Sequence, residues 1–208
     1  MKAKQLFVLL AMLVFSQFVL GQTIVGSKHD FTSASWNSSG EICKVCHTPH
    51  AAALVANAPL WSHATSTATY TVYSSPTLNA GTPAGTIGQP SASSKLCLSC
   101  HDNTVAIGGT TFIGTVGSPV GYSNLGIDLS NDHPISFTYD AALVTLDPGL
   151  KAVTSPSGIG AGTIASNMLL GGKVECASCH DVHNGAGIAH LLKKSNAGSA
   201  LCLTCHSK

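Results

Sequence analysis

Every cysteine of this chain belongs to one short pattern that occurs four times. The pattern C-x-x-C-H accounts for all 8 cysteines of the 208-residue sequence. Its copies, called motif 1 to motif 4 in chain order, end at His47, His101, His180 and His206, and their cysteines are Cys43, Cys46, Cys97, Cys100, Cys176, Cys179, Cys202 and Cys205. The pattern is typical of covalent haem attachment, in which both thiols bind one porphyrin and the adjacent histidine binds its iron. The sequence therefore predicts four covalently bound haem c groups.

Three other uses of paired cysteines compete with this interpretation. Disulfides are common in secreted chains, but a disulfide framework does not require a histidine after every second cysteine. A Cys₄ zinc site built from motif 3 and motif 4 has acceptable spacing, but it leaves the four histidines unexplained. A thioredoxin-like redox pair needs one C-x-x-C at a strand-to-helix junction, not four in Gly- and Ser-rich surroundings. Haem attachment explains the cysteines and the histidines together.

The number of histidines indicates how the haem irons are coordinated. Four irons have eight axial positions, and the motif histidines would fill half of them. Six further histidines are available, namely His29, His50, His63, His133, His183 and His190. Methionine, the other common axial ligand, is reduced to Met168 once the N-terminal segment is removed. We therefore expect two imidazoles on each iron, an arrangement that passes electrons and leaves no position for a substrate.

The sequence settings of His50, His183 and His133 favour a ligand role. His50 and His183 each follow a motif histidine by three residues, which is too close to reach the opposite face of the same iron. Each is therefore expected to bind the iron of a neighbouring haem, with a surface histidine near a propionate as the alternative. His133 lies in NDHPISF, where Asp132 is a candidate acceptor for its second ring N–H and Pro134 stiffens the chain.

The remaining three histidines have weaker or different settings. His63, in PLWSH, follows a tryptophan suited to packing on a porphyrin face. His29 stands near the predicted start of the mature chain, on an arm that can reach a haem of its own subunit or of the next one. His190, in the apolar segment GIAHLL, is expected to be structural.

The N-terminal segment predicts export. Residues 1–21 contain two lysines, an apolar run and a small residue, a sequence typical of a secretory signal peptide. An uncleaved N-terminal anchor is the alternative, and no later segment is long and apolar enough to span a membrane. Residues 22–208 then form a single tetrahaem domain with a formal charge of about −1, which gives no basic face for nucleic acid.

The composition predicts a mainly irregular, coil-rich fold with a few short α-helices and minor β structure around four covalently attached haems. Charged residues make up only 9% of the chain, which is poor material for long amphipathic helices. Short helices are expected around the motifs, the best from about residue 196 into motif 4. Alternating segments at residues 67–75, 110–116 and 135–139 predict strands, whereas residues 74–94 and 154–166 are predicted to be loops.

Several segments together resemble a known family. HDF…GEICKVCHTPH, LWSH, SKLCLSCHDNTVAIGG, NDHPISFTYDAAL and GGKVECASCHDVHN…LCLTCH occur in order over nearly the whole mature chain. They resemble the extracellular tetrahaem cytochromes that polymerise into conductive filaments. The resemblance implies a continuous haem stack of alternating parallel and crossed pairs, distal ligands at or near His50, His63, His133 and His183, and a His29 that caps a haem of the next subunit. Five candidates compete for four positions.

These features lead to one expected function and two alternatives. We expect a secreted or cell-surface electron conduit, homopolymeric and not an enzyme, which receives electrons from an upstream redox partner and passes them to a downstream one. A monomeric periplasmic electron shuttle is the nearest alternative. A multihaem reductase with one open iron position is the other, against which stand the surplus of histidine and the absence of arginine.

Overall fold

The computed structural model describes residues 24–106 and 124–207, and most of this part is irregular. Its helices are α1 (Ala92–His101), α2 (Ala141–Leu146), α3 (Ile164–Asn167), α4 (Cys176–Cys179) and α5 (Cys202–Cys205). Two 3₁₀ turns span Ala189–Leu191 and Ala197–Ser199. The strands β1 (Phe137–Thr138) and β2 (Lys173–Val174) pair antiparallel, with Phe137 opposite Val174. The predicted fold class, mainly coil with short helices and minor β structure, is confirmed.

Local side-chain chemistry determines where the short helices begin. Asp140 caps α2 by accepting a hydrogen bond from the Leu143 amide at 2.9 Å. Thr163 and Ser166 cap α3 reciprocally, and Glu175 and Ser178 form the same kind of capping box at the start of α4. Each cap therefore precedes a single turn or two of helix.

Four secondary-structure predictions need correction. Residues 67–75 form no strand, because the side-chain amide of Gln89 bonds both backbone groups of Tyr70 and leaves one bridge, between Thr71 and Asp128. The helix predicted from residue 196 is interrupted, because Gly198 and Ser199 have φ values of 60° and 61°. The loops predicted at 74–94 and 154–166 are shorter, since α1 begins at residue 92 and α3 at residue 164.

Of the remaining predicted segments, one strand is confirmed, and another strand and the signal peptide lie outside the described residues. The strand predicted at 135–139 is confirmed at β1. The strand predicted at 110–116 and the signal peptide at 1–21 lie outside the described residues. In the described part of the chain, no helix is long and apolar enough to cross a membrane.

The protein core consists of two small apolar clusters beside the motifs. The larger contains Ala80, Ile87, Tyr139, Leu143, Ile164, Met168 and Val174, and the smaller contains Tyr70, Leu98 and Leu129. Leu98 lies inside motif 2 and Ile164 begins α3. Helices α1 and α4, which carry motif 2 and motif 3, pack against each other. Motif placement and core packing thus depend on the same elements.

Candidate haem attachment and iron-binding sites

The motifs share one local backbone geometry. In motif 1, motif 3 and motif 4 the amide of the histidine donates to the carbonyl of the first cysteine, at 2.8, 3.0 and 3.0 Å. Motif 2 has the same helical form because it occupies the end of α1. One turn of helix therefore presents both thiols and the imidazole together, as attachment to one porphyrin and its iron requires.

A second segment of chain is hydrogen-bonded to the end of each motif. The carbonyls of Cys46, Cys179 and Cys205 accept from the amides of Ser62, Lys193 and Lys151, at 3.0, 2.9 and 2.8 Å. At motif 2 the His101 carbonyl accepts from the Leu125 amide at 2.7 Å. These bonds fix each motif against a distant part of the sequence, which compensates for the shortness of its helix.

The thiols of successive motifs are neighbours in space. Burial, followed by the charges of Cys100 and Cys43, raises the pKa of the Cys46 thiol to about 11. Burial, followed by the charge of Cys179, raises the pKa of the Cys205 thiol to about 11. Motif 1 is thus close to motif 2, and motif 3 is close to motif 4. The contact between Cys97 and Cys176 places motif 2 beside motif 3 in the same way.

The Cys97 and Cys176 thiols, from motif 2 and motif 3, are within hydrogen-bonding contact. This bond raises the pKa of Cys97, reinforced by burial, and lowers the pKa of Cys176. The sulfur that donates keeps its proton, and the sulfur that accepts is stabilised as a thiolate. All eight cysteines are free thiols, so each remains open to thioether formation.

Three motif histidines face a second histidine at the spacing expected across an iron. The ring centroids are 6.2 Å apart for His47 and His183, 5.9 Å for His101 and His29, and 6.4 Å for His206 and His133. Metal–nitrogen bonds of about 2 Å on opposite faces place two imidazole centroids roughly 6 Å apart. The residues present therefore fit an iron with two histidine ligands at motif 1, motif 2 and motif 4.

Backbone carbonyls orient several of these rings. Nδ1 of His47 bonds the Leu60 carbonyl at 2.9 Å, and Nδ1 of His180 bonds the His190 carbonyl at 2.9 Å. Nδ1 of His133 bonds the Pro134 carbonyl at 2.8 Å, in place of the bond to Asp132 that the sequence suggested. Each bond requires the proton on Nδ1, so Nε2 keeps its lone pair for a metal.

His29 is partly buried against its own chain, beside Phe31 and His101. Burial, followed by the neighbouring charges of His101 and His180, lowers its pKa from 6.5 to about 4. Its Nδ1 is buried and, in the part of the chain that the structure describes, has no hydrogen-bond partner. A neutral imidazole with an unused buried nitrogen fits a metal-ligand role.

The other candidate histidines are placed differently. His63 is half-buried against Trp61, with ring centroids 5.9 Å apart, and burial lowers its pKa despite a hydrogen bond to the Val45 carbonyl. His50 is exposed. The main-chain carbonyl of His190 accepts a hydrogen bond from Nδ1 of His180. Among residues 24–106 and 124–207, His180 has no imidazole partner at the spacing of the other three motif histidines.

The space beside motif 1 also fits a bulky group. A cavity of about 630 Å³ opens there, lined in part by Ile42, Cys43, His47 and Pro49. Its lining is mostly apolar and includes both a motif thiol and the motif imidazole. In the described residues, no group of three or more His, Cys, Asp or Glu side chains is arranged for a bare metal ion, so the zinc alternative gains no support.

Comparison with known proteins adds one match. Residues 170–208 match the family model described as the doubled CXXCH motif, which covers motif 3 and motif 4. No curated protein matches the chain. The matched motif supports a multihaem c-type cytochrome that binds haem covalently and transfers electrons.

Proposed function

We propose that the chain is an exported tetrahaem c-type cytochrome that conducts electrons and polymerises into an extracellular filament. The observation that carries the electron-transfer part is the set of three imidazole pairs at 5.9 to 6.4 Å, each joining a motif histidine to a histidine from elsewhere in the chain. Bound haem would supply an iron that can be oxidised and reduced reversibly by one electron. The polypeptide would contribute covalent attachment and, at motif 1, motif 2 and motif 4, a pair of histidines for the iron.

The assignment of residues follows the geometry. The cysteine pairs of the four motifs would hold the porphyrins, and the imidazole pairs named above would supply two iron ligands each at motif 1, motif 2 and motif 4. His180 keeps its Nδ1 on the His190 carbonyl and leaves Nε2 for the iron at motif 3. His63 and His50 are the candidates for the second ligand there, from the same chain or from a neighbouring one.

The spacing of the motifs supports conduction. The thiols of motif 2 and motif 3 are hydrogen-bonded, and thiols of motif 1 and motif 2, and of motif 3 and motif 4, are close enough to affect each other's pKa, which supports adjacent attachment sites. Electrons can then move stepwise from one end of the series to the other. A chain that keeps one iron position open would act as a reductase instead, and the paired imidazoles argue against that at three motifs.

Haem content and spin state test the electron-transfer proposal. The purified holoprotein should carry four haems per chain by pyridine haemochrome absorbance and intact mass. Electron paramagnetic resonance should show low-spin ferric signals alone, and cyanide should leave the spectrum unchanged. A high-spin haem that binds cyanide in the native protein would favour the reductase, and fewer than four haems would contradict the assignment of the motifs.

The filament part rests on the sequence resemblance and on the exposed His50. Electron microscopy of the secreted protein should show ordered polymers. His29→Ala then separates two roles: a ligand within the chain leaves a high-spin haem at motif 2 in intact filaments, whereas a cap between subunits leaves monomers. Native secreted material that consists of monomers alone would contradict polymerisation and favour the periplasmic shuttle.

A further inference from the structure

Glu175, immediately before motif 3, is a buried acidic residue. Only 1% of its surface is exposed. Its carboxylate accepts hydrogen bonds from the hydroxyls of Ser91 at 3.1 Å and Ser136 at 2.8 Å, and from Ser94. An ionised carboxylate is purely an acceptor, so three hydroxyl donors match the charged form.

This carboxylate joins the helices of two motifs. Ser94 belongs to α1, one turn before Cys97 of motif 2, and its hydroxyl also accepts from the Cys176 amide at 2.9 Å. Glu175 caps α4, with its own amide donating to the Ser178 hydroxyl at 2.9 Å. The carboxylate is also close enough to Cys97 and Cys176 to act on both thiols electrostatically. It therefore lies between the attachment sites of motif 2 and motif 3.

The charge of Glu175 is not neutralised by a direct ion pair. In the part of the chain that the structure describes, the ion pairs are Lys44 with Glu41 and, when protonated, His183 with Asp181. Lys173 approaches only the Ser91 hydroxyl, at 3.5 Å. A buried charge without an opposite partner acts strongly on its surroundings, because little solvent screens it.

We propose that Glu175 is a positioning residue whose fixed negative charge lowers the reduction potentials of the haems at motif 2 and motif 3. A nearby anion stabilises the ferric state, which carries one more positive charge than the ferrous state. The inference rests on the proposed attachment of haem at these two motifs. It goes beyond that function because it assigns a low-potential segment within the series.

The chain offers a matched control for the charge. Glu41 precedes motif 1 by two residues and Glu175 precedes motif 3 by one, but Glu41 is exposed and lies 3.7 Å from Lys44. Glu175→Gln and Glu41→Gln make the same chemical change in the two settings. Solvent screens an exposed charge, so only the buried substitution should affect the irons.

Potentiometric titration of the holoproteins, followed by visible absorbance, is the experiment. Glu175→Gln should raise the potentials of two haem transitions, whereas Glu41→Gln should leave all transitions in place. Glu175→Asp, which keeps the charge, should restore the wild-type potentials even if unfolding occurs at lower denaturant. A Glu175→Gln protein with four haems, native visible circular dichroism and unshifted potentials would overturn the proposal.

A second measurement does not depend on folding of the Gln variant. Removing motif 4 by Cys202→Ala with Cys205→Ala should delete a higher-potential transition and leave the lowest ones unchanged. Loss of the lowest transition instead would overturn the proposal. Wild-type protein that lacks haem at motif 2 or motif 3 by peptide mass mapping would contradict the proposed function, an outcome that is distinct from unshifted potentials in a protein with four haems.

Discussion

The imidazoles of His47 and His183 have ring centroids 6.2 Å apart and ring planes inclined by 20°. His47 ends motif 1, and His183 follows motif 3, so the contact joins two motifs that are far apart in sequence. This is the relationship expected when a histidine just after one motif binds the iron of another. It also gives the most direct test of the ligand assignment.

His183→Ala should open one iron. Because the substitution removes the nitrogen that faces His47, one haem should become high-spin and bind one equivalent of cyanide or carbon monoxide, while the others remain low-spin. Electron paramagnetic resonance and ligand titration measure this change.

His190→Ala is the matched control, since it removes an imidazole near the same motif but keeps the carbonyl that bonds His180. Its spectrum should stay that of the wild type. An equal high-spin signal in both variants, or in neither, would contradict the role of His183.

Ile164→Ala should destabilise the fold strongly. Ile164 is completely buried in the larger apolar cluster, so truncation creates a cavity and should lower the free energy of unfolding by about 3 kcal/mol. Leu146→Ala, at a side chain that is 61% exposed, should change it by less than about 0.5 kcal/mol. Denaturant titration followed by far-ultraviolet circular dichroism compares the two. Similar losses would show that the haems, and not this cluster, dominate stability.

Tyr139→Phe should loosen motif 4. The Tyr139 hydroxyl donates to the Lys151 carbonyl at 2.7 Å and lies 3.3 Å from the Cys205 carbonyl, and burial raises its pKa to about 12. Loss of the hydroxyl should lower the free energy of unfolding by about 1 kcal/mol. Tyr73→Phe is the control, because the described residues give that hydroxyl no partner. Equal effects of the two substitutions in denaturant titrations would argue against the contact at motif 4.

Asp102→Asn should change how stability depends on pH. Burial of the Asp102 carboxyl opposes its ionisation, but hydrogen bonds from Ser66, Tyr70 and Thr104 outweigh burial and lower its pKa. The folded state thus binds its proton less readily than the unfolded state. The stability gained is complete above the ordinary carboxyl pKa of about 4 and is lost as the pH falls below it.

At pH 7 the Asn variant should therefore lose about 2 kcal/mol, and the gap from wild type should narrow below pH 4. Unfolding measured across this pH range supplies the test. Asp128→Asn, at an exposed carboxylate, should cost less. A gap that does not depend on pH would mean that Asp102 acts through packing and not through charge.

The sequence predicted well the features that depend on local residue patterns. The coil-rich class followed from composition, and the motif turns followed from their helical spacing. These features require only short-range geometry or counting of residue types.

Features that depend on long-range contacts were missed. The Gln89 side-chain amide hydrogen-bonds both backbone groups of Tyr70. This prevents strand formation at residues 67–75, where the alternation of side chains in the sequence predicted a strand. Glu175 gave no signal either, because its partners Ser91 and Ser136 are distant in sequence and ordinary in kind. The capping box with Ser178 was the one local clue to it.

The rings of His47, His133 and His180 are held by the main-chain carbonyls of Leu60, Pro134 and His190. A carbonyl is common to all twenty amino acids, so these three supporting positions are free to change their side chains while the imidazoles stay in place. At residue 190 the constraint is the backbone, with φ near 60°, which glycine or asparagine satisfies as well as histidine. Related chains are therefore expected to keep His47, His133 and His180 while the side chains at the three supporting positions vary.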